Sequence, residues 1–150
     1  MADQISIQTA DFDVAALHEK LRADDASCGA VVTFTGIVRE LAGDDRLRGI
    51  FLEHYPAMTE KALRRIVDQA RDRWTLGEVI LIHRIGELLA NDNIVFVGVA
   101  SRNRAAAFEA AQFIMDYLKR DAPFWKKELL QDDERWVEQK ASDLDAARKW

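Results

Sequence analysis

Polar and apolar residues alternate over residues 3–8 (DQISIQ), the period-two pattern of a half-buried strand. Asp13 follows as a helix cap, and Val14, Leu17 and Leu21 fall on one face of a helix running to about Arg22. Residues 29–39 (GAVVTFTGIVR) are rich in β-branched side chains and predict a long strand. Gly43, Asp44 and Asp45 mark a polar loop before the next strand, 47–55 (LRGIFLEHY). Pro56 or Thr59 opens a helix to about Trp74, with Ala62, Leu63, Ile66, Val67 and Ala70 as its stripe and Gly77 as its stop. Strands at 78–85 and 93–100 flank a turn at Ala90–Asn93. Residues 103–119 predict a helix with Phe108, Ala111, Met115 and Leu118 in register, and Pro123 forbids its continuation. Residues 124–130 and 135–139 predict a hairpin turning at Gln131–Glu134, and Ser142 starts a short tail helix over 142–150.

The order β-α-β-β-α-β-β-α-β-β predicts an α+β domain. Sequential strands pair through antiparallel hairpins, with helices on one side of a mostly antiparallel sheet. No glycine-rich turn follows the first strand, which argues against a dinucleotide-binding fold. The 150 residues, 49% of them hydrophobic, fit one domain over 1–150 with a core of its own. The longest apolar run, Ile94–Ala100, is strand-sized, well short of the ~20 residues of a membrane span. The first residues lack the basic and apolar regions of a signal peptide, so the expected place is the cytoplasm, away from membranes.

A net charge of −5 speaks against nucleic-acid binding over the whole surface, though not against a local basic pocket. The single cysteine, Cys28, rules out an internal disulfide and cysteine-pair zinc sites, and its small apolar setting predicts a buried hydrophobe. His18, His54 and His83 fall on separate elements without metal-ligand spacing, so no metal is expected. Acidic residues sit beside basic ones on helix faces, such as Asp68 and Arg71, in the manner of solvated ion pairs.

The chemistry lies in cations at element ends. Arg39 ends the long strand, Arg102 and Arg104 start the alanine-rich helix, and Lys119 and Arg120 close it. Lys126 and Lys127 follow Phe124 and Trp125. Singly, each has an ordinary explanation, such as a favourable charge at a helix C-terminus for Lys119. Together, with Phe34 and Met115 as pocket-lining candidates, they can frame a site for a flat anion. Arginine suits phosphate through its bidentate fork, and crowding by other cations makes a lysine reactive.

Five blocks, in order, resemble the large-subunit family of molybdopterin synthase. They are VVTFTGIVR, LEHYPAMTEKAL, HRIGEL, IVFVGVAS and FEAAQFIMDYLKRDAPFWKKE, and the match runs from about residue 29 to the final RKW. The resemblance implies an α/β-hammerhead fold and a homodimer that binds two small ubiquitin-like sulfur carriers, giving a heterotetramer. It implies a sulfurtransferase without a cofactor. The carrier's C-terminal Gly-Gly thiocarboxylate delivers sulfur twice to cyclic pyranopterin monophosphate, forming the dithiolene of molybdopterin. Because the sulfur arrives on the partner, no cysteine nucleophile is needed.

The family's functional lysines fall on Lys119 and Lys126. Its substrate-binding positions fall on Ile37, Val38 and Arg39, on Asn103 and Arg104, and on Lys126, Lys127 and Glu128. Asn103 stands where the family carries histidine; it can hydrogen-bond a ligand but cannot take up a proton. The resemblance implies that Arg39 and Arg104 hold phosphate, Lys119 meets the carrier's terminal carbonyl, and Lys126 supports the reacting carbon. Two rivals make different predictions. A non-catalytic adaptor for a ubiquitin-like tail turns over no pterin, and a small-phosphate hydrolase on a ferredoxin-like fold releases phosphate without a carrier.

Overall fold

The computed structural model describes residues 3–23, 25–39, 47–130, 134–137, 141–148 and 150. The polar loop expected at Gly43–Asp45 and the hairpin tip at 131–133 lie outside the described residues. Twelve elements follow one another: β1 (Asp3–Gln8), α1 (Val14–Arg22), β2 (Ala30–Ile37), β3 (Leu47–His54), α2 (Pro56–Arg73), β4 (Leu76–Arg84), β5 (Gly86–Leu89), β6 (Asn93–Ser101), α3 (Arg104–Asp121), β7 (Phe124–Leu130), β8 (Glu134–Val137) and α4 (Ala141–Arg148). The fold is α+β, and antiparallel pairings dominate its two sheets. No helix among the described residues is long and apolar enough to cross a membrane.

The first sheet has the order β1-β4-β6-β2, with β1 parallel to β4 and the other pairs antiparallel. Alternation along β4 sends its side chains to two cores. Val79 and Leu81 join Val95, Val97 and Val99 of β6 against Leu63, Ile66 and Val67 of α2 and Phe113, Ile114 and Leu118 of α3. Ile80 and Ile82, on the other face, meet Phe96 and Leu21 of α1. Helices therefore cover both faces of this sheet, not one side as the pattern suggests. The reason lies in β4 and β6, which are apolar at successive positions and need cover on both faces.

The second sheet has the order β5-β3-β7-β8. Of the antiparallel pairs expected between sequential strands, 78–85 with 93–100 forms as β4–β6 and the C-terminal hairpin forms as β7–β8, whereas β2 and β3 do not pair. β2 pairs with β6, and β3 pairs with β5 and β7. Strand β5 is itself absent from the expected order. It is only four residues long, and its GELL sequence carries no alternation long enough to mark it.

Three local expectations change. Helix α2 starts at Pro56 and ends at Arg73, where Trp74 turns extended; Gly77 lies inside β4 instead of stopping the helix. A Cβ at Gly77 would stand 2.7 Å from Cys28 Sγ, so the glycine marks a close approach. Arg71 pairs with Asp3 and donates to the carbonyls of Leu76 (3.1 Å) and Gly77 (2.7 Å), so it ties α2 to β1 and β4 instead of forming a solvated helix-face pair. Phe108 is 62% exposed, outside the stripe expected for it, because Ala107, Ala110, Phe113 and Ile114 define the buried face of α3.

Candidate active site

The end of β2 builds one wall of a cleft. Pairing with β6 runs regularly to Gly36↔Val95, then slips at a bulge so that Ile37 faces Asn93. Gly36 belongs at this slip, because a Cβ there would come within 2.7 Å of Val95 Cγ1. Beyond the bulge the chain leaves the first sheet. The Val38 N–H donates to Asp92 O at 2.8 Å, and the Asn91 N–H donates to Val38 O at 2.7 Å. Asn91 adopts the left-handed conformation (φ 74°) that closes this turn. Val38 is delivered into a cluster with Ile50, Leu52 and Leu88, which leaves Arg39 exposed.

The last turns of α3 form the facing wall. A cleft of about 680 Å³ is lined by Phe34, Gly36, Ile37, Val38 and Arg39 on one side and by Met115 and Lys119 on the other, with Asn91 and Val95 between them. This is the size of an ordinary small-molecule site. Among the described residues its lining carries two cations, Arg39 and Lys119, and no carboxylate. The apolar walls and paired cations suit a flat anion.

Six expected residues thus meet in one place: Phe34, Ile37, Val38, Arg39, Met115 and Lys119. The other five lie elsewhere in this chain. Asn103 is the N-cap of α3, and its side-chain oxygen accepts from the Ala106 N–H at 2.9 Å. Arg104 is the first residue of that helix, fifteen positions from Lys119. At about 1.5 Å per residue they stand roughly 22 Å apart along the axis, about twice the length of a pterin phosphate. Lys126, Lys127 and Glu128 lie on β7, where they pair with Leu52, Phe51 and Ile50. Lys126 and Glu128 therefore share the strand face of Leu52 and Ile50, whose cluster contains Val38. Lys127 faces the other way, its Nζ 5.8 Å from the centre of the Phe51 ring.

Of the three histidines, His83 is buried in β4 at 8% exposure. Its ring stacks on Phe124 with centroids 3.9 Å apart and planes at 19°. Nδ1 lies 2.8 Å from Arg84 O, so Nδ1 carries the proton and donates. Burial, and then the charges of Lys119 and His54, lower its pKa to about 4, against the backbone hydrogen bond. A neutral imidazole thus sits close to Lys119. No periodicity singles it out, because its strand reads as continuous apolar core; the pocket residues Thr35, Gly36, Ala90, Asn91 and Val95 carry no charge that would flag them either.

Cys28 is half-buried, not fully buried as its neighbours suggest. Its Sγ lies 3.6 Å from Asp25 Oδ2. Burial, then the Asp25 carboxylate, push its thiol pKa up, which disfavours the thiolate a nucleophile needs. Among the described residues no group of three or more His, Cys, Asp or Glu is placed to hold a metal.

Residues 7–121 match the family model described as MoaE protein. The molybdopterin synthase catalytic subunit of Vibrio cholerae is 52% identical over 150 residues, covering 100% of this chain and 99% of the relative. Its counterpart in Escherichia coli is 62% identical over 122 residues, 81% of each chain. Among solved structures, the molybdopterin biosynthesis MoaE protein of Burkholderia ambifaria superposes with a TM-score of 0.84 at 45% identity, covering 99% of this chain and 98% of that one.

Proposed function

The chain belongs to the MoaE family, the catalytic subunits of molybdopterin synthase, and from that premise we propose that the Arg39–Lys119 cleft is where sulfur is transferred to cyclic pyranopterin monophosphate. The observation that carries this reading is the cleft itself: apolar walls, two cations from separate elements and no acidic lining among the described residues. Arg39 suits the phosphate, through its fork of donors. Lys119 suits the carbonyl of an incoming acyl donor, where a cation stabilises charge as the C–S bond breaks. Lys126 supplies a second ammonium from the β7 strand face that adjoins Val38.

The word "catalytic" in the relatives' names implies a second, non-catalytic subunit. We take this to be a small ubiquitin-like carrier whose C-terminal thiocarboxylate enters the cleft. Cys28 offers no competing sulfur route, since its thiol is held protonated and lies against Asp25, away from the cleft lining. The cytoplasm is the proposed setting.

A homodimer completes the site. Arg104, Phe108, Gln112, Met115 and Lys119 fall within about 80° of one another around α3 at about 3.6 residues per turn. Arg104, Phe108, Gln112 and Lys119 are exposed and Met115 half-exposed, so the stripe is open to a partner. Two such helices packed antiparallel about a two-fold axis set Arg104 against the partner's Lys119, and Phe108 against the partner's Met115. Two cations brought together in this way repel unless an anion lies between them, which is the place for the phosphate. Each site then draws Arg39 and Lys119 from one chain and Arg104 from the other.

Turnover tests the reading. With cyclic pyranopterin monophosphate and thiocarboxylated carrier, Lys119→Ala and Lys126→Ala should each slow dithiolene formation by roughly 10²–10³. Both variants should keep the wild-type circular dichroism spectrum. Near-wild-type rates in both would remove the lysines from the mechanism.

A further inference from the structure

The two lysines belong to different layers: Lys119 to the last turns of α3, and Lys126 to β7 of the second sheet. Only the short bend Ala122–Pro123 separates the elements that carry them. The bend is closed by the Phe124 N–H donating to Ala122 O at 2.9 Å, and Phe124 is the first residue of β7. Whatever fixes Phe124 therefore fixes the relation between the two ammonium groups.

His83 fixes it. The residue lies directly opposite Val95 across the β4–β6 pairing, so its ring shares a sheet face with that cleft-lining valine. From there it stacks flat on Phe124. On the second sheet Phe124 pairs with His54, whose ring centroid is 6.4 Å away. Phe124 is thereby held between a histidine of each sheet. The Nδ1 bond to Arg84 O pins the plane of the His83 ring and keeps the stack in register.

We propose that His83 is a positioning residue for sulfur transfer: its ring, stacked on Phe124, holds the α3–β7 bend and so sets Lys119 and Lys126 at the separation the reaction needs. The inference rests on the reading of those lysines as the groups that meet the reacting atoms. His83 itself touches neither substrate nor carrier. The groups that bear on its ring are Lys119 from α3, His54 from β3 and the aromatic face of Phe124. An uncharged ring at this point adds no repulsion to the nearby Lys119 ammonium.

Steady-state kinetics of three variants in the complete carrier-containing enzyme decide the matter. His83→Ala should lower kcat about tenfold to a hundredfold, as a displacement of about 1 Å in a reacting group does, and leave KM for the pterin and Kd for the carrier within about twofold. His83→Phe, which restores a flat ring against Phe124, should recover most of that kcat even though it lacks the bond to Arg84 O. Phe124→Leu keeps apolar bulk but no ring, and should reproduce the kcat loss; it decides the question if His83→Ala does not fold. Wild-type kcat in folded His83→Ala or in Phe124→Leu overturns the proposal, and so does a loss that His83→Phe fails to relieve. A wild-type enzyme that forms no dithiolene overturns the functional reading and this proposal with it. An active wild type with unaffected variants overturns the positioning role alone.

Discussion

An imidazole stripped of water resists protonation, and His83 shows what that costs the fold in acid. The unfolded chain takes up this proton near 6.5, whereas the folded chain holds it off until about 4. Between those values the unfolded state binds more protons. The stability that the neutral ring contributes is therefore complete above about 6.5 and is lost as pH falls toward 4. By pH 5 the loss from this one group is roughly 2 kcal/mol. Urea unfolding at pH 7 and pH 5 measures it directly. The difference between the two pH values should be smaller in His83→Phe by about that amount, whatever the substitution does to stability at pH 7. An equal acid loss in both proteins would show that His83 is not the group responsible.

At the scale of elements, α3 does two jobs. Its N-terminus is capped by Asn103, and its last turns present Met115 and Lys119 to the cleft. The cap explains how asparagine serves where the resemblance leads one to expect histidine: its oxygen satisfies an otherwise unpaired backbone N–H. Asn103→Ala should lower stability by about 1 kcal/mol, and Asn103→Asp should lose much less. Thermal unfolding checks this, and equal stability of the alanine variant would contradict the capping role. Most elements were legible in the pattern because each long one carries a clean period, as α2 does with Leu63, Ile66, Val67 and Ala70. Their pairing was legible only in part: β4 with β6 and β7 with β8 pair as their order predicts, but β3 does not pair with β2. Local periodicity says which face is apolar but not which strand covers it, so β3 reaching past β4 to β5 and β7 left no local mark. The cleft was half legible for a related reason. Charged ends such as Arg39 and Lys119 stand out in sequence, whereas a backbone slip at Gly36 and a turn at Asn91 act through geometry.

For the whole molecule, the separation of Arg104 from Lys119 is the fact that most constrains assembly. Both cannot serve one ligand within a single chain. If the proposed homodimer shares its sites in this way, Arg104→Ala and Lys119→Ala should each be nearly inactive. Mixed under conditions that exchange subunits, they form heterodimers in which one of the two sites is intact, so activity should return to a substantial fraction of wild type. Heterodimers that form, shown by native mass spectrometry, yet restore nothing would mean that each site is built within one subunit.

In the proposed reaction this chain moves sulfur from a carrier onto a pterin without supplying sulfur itself. Isotope accounting tests it most directly. The carrier is charged with ³⁴S-thiocarboxylate and incubated with cyclic pyranopterin monophosphate and either wild-type enzyme or Cys28→Ala, and the product is read by mass spectrometry. Both dithiolene sulfurs should carry the label with either enzyme, and Cys28→Ala should turn over close to the wild-type rate. Unlabelled sulfur in the product, label trapped on Cys28, or an inactive but folded Cys28→Ala would contradict the account.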